Sequence, residues 1–174
     1  MVIKRGIAMK VLKTEQQIQE RVKQLAKQIS ADYAGKTLDV VCLINSASIF
    51  CADLVRQLTV PTRLHFLGFT SYANGNVSGE VRLTQDINEP LFDRQVLVVE
   101  GIVVSGRTPR YILDFINLRQ PQSLVMCALG MKPDQLTVDI PLKYVAFELG
   151  HEMAIGYGVG SGPEKISTSL IESL

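Results

Sequence analysis

The sequence predicts an α/β protein with a mainly parallel central sheet flanked by helices. Apolar runs rich in leucine and β-branched residues alternate with segments whose apolar residues recur at helical spacing, an alternation typical of βα units. The runs at residues 38–44 and 96–99 contain almost no polar residues, which indicates strands buried on both faces of a parallel sheet. Short polar loops follow both runs and lead into helices, so these loops are expected to converge at one edge of the sheet.

Composition and charge favour a globular protein without an electrostatic preference for polyanions. The chain has 174 residues, a net charge of +1 and 47% hydrophobic residues, which predicts one domain over residues 1–174 with a substantial core. Neither a nucleic-acid nor a membrane partner is expected, since no charge bias exists and no apolar run could span a bilayer. Cys42, Cys51 and Cys127 lie in apolar stretches and indicate reduced thiols of a cytoplasmic protein.

The first helix is predicted to begin after Thr14, because Gln17 three residues later completes a capping box. Its buried face consists of apolar residues at helical spacing, namely Ile18, Val22, Leu25, Ala26 and Ile29. Gly35 is predicted to end the segment. The loop that holds Asn45 and Ser46 follows the strand at 38–44, and its polar residues are interpreted either as caps of the next helix or as a ligand-binding loop.

Four further strands are predicted at residues 63–69, 81–84, 122–129 and 144–149. Between the first two, the polar and glycine-containing residues 70–79 predict a mobile flap or a hairpin tip. Residues 86–94 are predicted to form a surface connection. Lys132 follows the strand at 122–129, on the side where doubly wound sheets bind ligands; the alternative is a solvated loop lysine.

The segment from residue 96 to 113 predicts an anion site. A buried strand leads through a second apolar run at 102–104 to Ser105, Gly106, Arg107 and Thr108, and Pro109 then stands in the first turn of a helix. Backbone N–H groups and the helix dipole in such a loop attract a phosphate. An ordinary βα turn capped by Ser105 is the alternative.

Several motifs in order resemble the bacterial hypoxanthine-type purine phosphoribosyltransferases over residues 9–157. They are TEQQIQERVKQLAKQISADYAGK, ADLVRQL, Ser71-Tyr72 with NGNVSGEVRL, VLVVEGIVVSGRT, Lys132-Pro133, and YVAFEL followed by Gly156-Tyr157-Gly158. The resemblance implies a type I phosphoribosyltransferase fold with a flap and a small hood. It also implies transfer of a phosphoribosyl group from phosphoribosyl diphosphate to a 6-oxopurine in purine salvage, through an oxocarbenium-like state.

The resemblance implies site residues where this chain matches the family pattern. The 5′-phosphate loop matches at Ser105, Gly106, Arg107 and Thr108, the flap at Ser71 and Tyr72, the lysine that binds the purine 6-oxo group at Lys132, and the first ribose acid at Glu100. Met153 and Ala154 correspond to the base-binding segment, and Tyr72 belongs to the catalytic set.

The chain departs from the pattern at several acids. Gly101 replaces the second ribose acid, Val104 the acid that handles a purine ring proton, and Gly160 an aspartate linked to the metal. The diphosphate loop, leucine-lysine-glycine in the family, is Ile44-Asn45-Ser46, and Met153 replaces the aromatic residue that stacks on the base. No arginine stands near residues 165–167. Asp134 or Glu152 is a candidate to replace a missing acid.

These matches and departures leave three hypotheses. The first is an enzyme whose transfer is slow, since losing a general acid or base typically costs ~10²–10⁴-fold. The second is an inactive homologue that binds a purine mononucleotide or phosphate, and the third is a structural or regulatory protein. The expected partners are phosphoribosyl diphosphate, a purine base or mononucleotide, and other copies in a dimer or tetramer. Magnesium is expected only together with a diphosphate ligand.

Overall fold

The computed structural model describes residues 10–71, 81–160 and 168–173 and confirms the α/β architecture. In chain order the elements are β1 (Lys10–Lys13), α1 (Glu15–Asp32), β2 (Leu38–Ile44), α2 (Ser48–Gln57), β3 (Thr62–Ser71), β4 (Val81–Gln85), β5 (Gln95–Val103), α3 (Arg107–Asn117), β6 (Ser123–Met131), a 3₁₀ turn (Pro133–Gln135), β7 (Leu142–Glu148), β8 (Ala154–Ile155) and β9 (Ile171–Ser173). No helix among these residues is long and apolar enough to cross a membrane.

The central sheet has six strands in the order β4-β3-β2-β5-β6-β7. All neighbours are parallel except β4, which runs antiparallel to β3. The sheet is buried between α1 and α2 on one face and α3 on the other, which explains why β2 and β5 are apolar throughout. The second apolar run after residue 101 continues β5, which ends at Val103.

A small antiparallel sheet, β1-β9-β8, joins the two ends of the described chain. It forms the hood that the resemblance implies. Residues 72–80, which contain Tyr72 and most of the expected flap, lie outside the described residues. The strands that flank these residues, β3 and β4, pair antiparallel, which supports the hairpin interpretation.

The capping box at the start of α1 is confirmed. The Gln17 N–H donates to Thr14 Oγ1 at 3.3 Å, and the Thr14 N–H donates to Gln17 Oε1 at 2.9 Å. The prediction that Gly35 ends the segment is confirmed in the form of a turn: α1 ends at Asp32, and Gly35 occupies a left-handed turn beyond it.

One interpretation of a loop is wrong. The polar residues of the loop 45–48 do not cap α2, because Ala47 is the N-cap residue and no side chain bonds to the helix N-terminus. The connection at 86–94 lies mostly at the surface, as predicted, but Ile87 and Leu91 anchor it in the core beneath α3. In both cases tertiary packing, which local sequence does not encode, determines the outcome.

Candidate active site

The carboxyl ends of β2, β5 and β6 meet at one edge of the sheet and open onto a cleft of about 400 Å³. Its lining consists of Ser46, Glu100, Ile102, Val104, Lys132, His151, Met153, Ala154, Val159 and Gly160. The strand-end loops thus converge as predicted. Asn45 and Ser105–Thr108 are not among the lining residues, although the latter continue directly from Val104.

The loop after β5 combines a left-handed glycine with free amides. Gly106 is the N-cap of α3 at φ 79°, a conformation that side chains with a Cβ rarely adopt. Among the described residues, the amides of Ser105, Gly106 and Thr108 have no hydrogen-bond partner. The Ser105 hydroxyl lies 3.4 Å from the Arg107 amide, too far for a strong cap. The loop therefore offers N–H donors and a helix dipole to an anion.

Lys132 forms one wall of the cleft and is only 8% exposed. Its amide donates to the Val103 carbonyl at 3.0 Å, which ties the end of β6 to the end of β5. Its Nζ donates to the carbonyl oxygens of Glu152 at 2.8 Å and His151 at 3.3 Å. An ammonium has three donors, so one N–H remains for a ligand in the cleft. The solvated-loop alternative for this lysine is wrong.

Glu100 is turned toward the loop after β2. Its Oε1 accepts from Ser46 Oγ at 2.8 Å and from the Gly101 amide at 2.6 Å. Removal from water raises the pKa of this carboxyl, and the two hydrogen bonds oppose that rise. The side chain is therefore already engaged by the protein.

His151, Ile102 and Val159 line the cleft, and the sequence does not single them out as site residues. His151 follows β7, and the convergence of parallel strand ends is the signal that could have found it. Its Nδ1 lies 3.1 Å from Gln135 Nε2, and its Nε2 lies 3.7 Å from Asp134 Oδ2. His151 therefore lines the cleft, and the exposed Asp134 lies beside it outside the lining residues.

Comparisons with known proteins agree with this geometry. The phosphoribosyl transferase domain family matches residues 9–159. The chain belongs to the hypoxanthine phosphoribosyltransferase family. It is 36% identical over 153 residues to the hypoxanthine phosphoribosyltransferase of Haemophilus influenzae, covering 86% of each protein. It is also 35% identical over 156 residues to the hypoxanthine-guanine phosphoribosyltransferase of Mycobacterium tuberculosis, covering 86% of this chain and 77% of that one.

A solved structure of the same family has the same fold. The crystal structure of a hypoxanthine-guanine phosphoribosyltransferase from Bacillus anthracis, with HEPES in its active site, superimposes with a TM-score of 0.89 at 33% identity. The match covers 94% of this chain and 97% of that one. The α/β prediction and the type I phosphoribosyltransferase fold are therefore confirmed.

Two family acid positions are occupied by glycines that the backbone encloses. A Cβ on Gly101 would lie 2.8 Å from the Ser46 carbonyl oxygen and 3.0 Å from Val159 Cγ1. A Cβ on Gly160, at φ 88°, would lie 2.8 Å from the Ala154 carbonyl oxygen. A side chain at either position would therefore meet backbone atoms.

The other two departures point into open space. Val104 is 40% exposed and Met153 is 56% exposed, and both line the cleft. Methionine can pack against a purine face through its polarizable sulfur. An aspartate at position 104 would remain hydrated, so it would not carry the free-energy cost of a buried, unpaired carboxylate.

Magnesium, which the family resemblance implies, does not fit the described residues as a protein-held ion. The described part of the chain contains no cluster of three or more His, Cys, Asp or Glu residues able to hold a metal. Glu100 is the one carboxylate among the lining residues, and Ser46 and Gly101 already engage it. Mg²⁺ prefers several oxygen ligands in octahedral geometry, which this cleft does not supply.

Replacing Gly101 with aspartate is expected to lower stability without raising transferase activity. Its Cβ would meet the Ser46 backbone oxygen, and overpacking of this kind costs about 1–3 kcal/mol. Thermal melting and a purine-transfer assay check this result. Val104→Asp is the matched control, because it adds the same carboxylate three residues away in open space. If the Gly101→Asp protein were as stable as the parent and faster in transfer, the conclusion that position 101 has no room for a side chain would be wrong.

Proposed function

We propose that this chain is a purine phosphoribosyltransferase that joins a 6-oxopurine to the ribose 5-phosphate of phosphoribosyl diphosphate, at a slow rate. One observation carries the proposal: a loop of free amides around Gly106 continues directly into a cleft walled by Lys132. Such a loop suits a phosphate, and the remaining lysine N–H suits a carbonyl oxygen. A phosphoribosyl purine has both groups at opposite ends.

Binding of the ligand follows from these groups. The amides of Ser105, Gly106 and Thr108 donate to the 5′-phosphate oxygens in charge-assisted hydrogen bonds, each stabilised by the dipole of α3. Lys132 donates to the purine 6-oxo group, and Met153 packs against the base. The side chains of Ile102 and Val159 exclude water from the apolar part of the cleft.

The slow rate follows from the missing acids. Valine at position 104 accepts no proton, and a positioned acid or base contributes about 10²–10⁴-fold. Gly101 leaves one ribose hydroxyl without a carboxylate. Glu100 is the remaining acid, and its Oε1 already accepts from Ser46 and Gly101.

A second function, binding of a purine mononucleotide without turnover, is favoured by the loop after β2. The Ser46 carbonyl oxygen occupies the space beside Gly101, on the side where the family binds the ribose and diphosphate. The monophosphate loop keeps its free amides. This arrangement suits a nucleotide better than it suits phosphoribosyl diphosphate.

A thermal-shift panel combined with a transfer assay distinguishes the two functions. The ligands are inosine and guanosine 5′-monophosphates, hypoxanthine, guanine, and phosphoribosyl diphosphate with magnesium. A ligand that binds the native state raises the melting temperature, so both functions predict a rise with the mononucleotides. Slow formation of mononucleotide from base and phosphoribosyl diphosphate supports the enzyme. Absence of any product with mononucleotide binding retained supports the binding protein.

Magnesium alone is expected to bind weakly. The described cleft offers no free pair of carboxylates, so the ion's oxygen ligands would come from a diphosphate. Calorimetry with magnesium is expected to give no saturation in the absence of phosphoribosyl diphosphate. Tight binding of magnesium to the free protein would contradict this expectation.

The proposal extends to location and assembly. Three free and buried cysteines, Cys42, Cys51 and Cys127, support a cytoplasmic location. Leu64 and Phe66 of β3 are exposed, and apolar residues exposed on a sheet face support a homo-oligomer. Sedimentation of the purified chain tests the latter.

A further inference from the structure

The described cleft contains three titratable side chains, and two of them are committed to other contacts. Glu100 accepts hydrogen bonds from Ser46 and Gly101. Lys132 donates to two backbone carbonyls and acts as a hydrogen-bond donor. The third, the imidazole of His151, makes its ring contacts at the exposed surface, and histidine is the side chain that exchanges a proton near neutral pH.

His151 is held next to Lys132 and faces a carboxylate. Its own carbonyl accepts from Lys132 Nζ at 3.3 Å, and the Lys132 amide donates to the Val103 carbonyl at 3.0 Å. Lys132 thus bonds to His151 and to the residue before Val104, and all three of His151, Lys132 and Val104 line one cleft.

The ring nitrogens of His151 have different neighbours. The Gln135 side-chain amide donates to Nδ1 at 3.1 Å, so Nδ1 carries a lone pair, and Nε2 faces Asp134 Oδ2 at 3.7 Å. The neutral ring with its lone pair on Nδ1 is the form of histidine that can accept a proton.

We propose that His151 accepts the purine ring proton during transfer, in place of the acid that is missing at Val104. The inference rests on the proposed function. The exposed amide of Gln135 turns aside, the purine N–H bond breaks, its proton moves to Nδ1, and its electron pair stays in the ring. The purine nitrogen that bonds to the sugar attacks the anomeric carbon, whose bond to the diphosphate oxygen breaks with the electron pair leaving on diphosphate.

This role predicts the direction of the pH dependence. The base must be neutral to accept a proton, so transfer increases as pH rises through the range in which histidine loses its charge, about pH 5–8. The described charged groups nearest to His151 are the Asp134 carboxylate, 3.7 Å from Nε2, and the Lys132 ammonium, which donates to the His151 carbonyl.

Replacing His151 with glutamine tests the proposal kinetically. Transfer is expected to fall about 10²-fold, the lower end of the range for a positioned base, and the pH dependence is expected to flatten. The affinity for inosine 5′-monophosphate is expected to stay within a few-fold. Val104→Asp in the same background is expected to restore transfer. Unchanged transfer and an unchanged pH profile in His151→Gln would overturn the proposal.

Proton NMR gives a readout that does not require turnover. The chain has two histidines, and His65, buried beside Asp39 on β3, serves as the internal reference. Inosine 5′-monophosphate is expected to shift the His151 signal and its titration midpoint and to leave His65 unchanged. If transfer is absent while this shift occurs, the transferase proposal fails and the contact of His151 with the purine stands. If bound nucleotide leaves the His151 signal unchanged, the inference is wrong, whatever the activity.

Discussion

Replacing Val104 with aspartate is expected to raise the rate of purine transfer about 10²-fold. A positioned general base contributes about 10²–10⁴-fold, and the lower end applies because His151 already supplies a proton acceptor. Val104 is 40% exposed at the rim of the cleft, so the new carboxylate stays hydrated and the fold is expected to retain its melting temperature. The measurement is the rate of mononucleotide formation from hypoxanthine or guanine.

Val104→Asn is the matched control, because it has the size of aspartate without a group that takes up a proton. It is expected to leave transfer at the parent rate. Robust transfer by the unmodified protein, at the rate of a family member with all its acids, would contradict the argument from missing acids. If Val104→Asn raised the transfer rate as much as Val104→Asp, the gain would come from polarity and not from proton transfer.

Replacing Gly106 with valine is expected to reduce the affinity for a mononucleotide about 10²-fold or more. A Cβ there would lie 2.8 Å from the Val138 carbonyl oxygen, at φ 79°, so the loop has to move and its amides no longer point at one phosphate. Each hydrogen bond to a charged group contributes about 1.5–3 kcal/mol, and losing one or two of them accounts for that change. Calorimetry with inosine 5′-monophosphate measures it.

Gly35→Val is the control for backbone strain. Gly35 lies in the turn after α1 at φ 76°, far along the chain from the cleft, and a Cβ there would meet no atom within 4 Å. Both variants are expected to lose stability, since β-branched residues rarely adopt this conformation. Only Gly106→Val is expected to lose nucleotide affinity. Equal affinity in the two variants would place the phosphate elsewhere.

The central elements can be predicted because their signals are local. The apolar run at Leu38–Ile44 predicts a strand with the bounds that the structure has, since an apolar run between polar loops defines a buried strand. The capping box of Thr14 and Gln17 involves residues three apart, and helix geometry alone brings them together. The loop at Ser105–Thr108, which we propose binds a phosphate, likewise follows from a strand, a glycine and a helix that are consecutive in sequence.

The conformation of the loop 45–48, the enclosure of Gly101 and the position of His151 cannot be predicted in the same way. Ser46 and Glu100 are 54 residues apart, so only the pairing of β2 with β5 brings the hydroxyl to the carboxylate. The polar residues of the loop 45–48 have the composition of helix caps, yet that loop instead packs on Gly101. Competition between local hydrogen bonds and tertiary packing decided the outcome.

The sequence by itself determined the family, the parallel sheet and the succession of strand, glycine loop and helix at residues 96–113. Motifs and apolar periods carry that information, because neighbouring residues interact whatever the rest of the chain does. Only the tertiary structure decided that Gly101 and Gly160 are enclosed while Val104 is open, and that His151 stands beside Lys132 and Asp134. These relations depend on distances between segments far apart in the chain, which are determined when the strands pair and the helices pack.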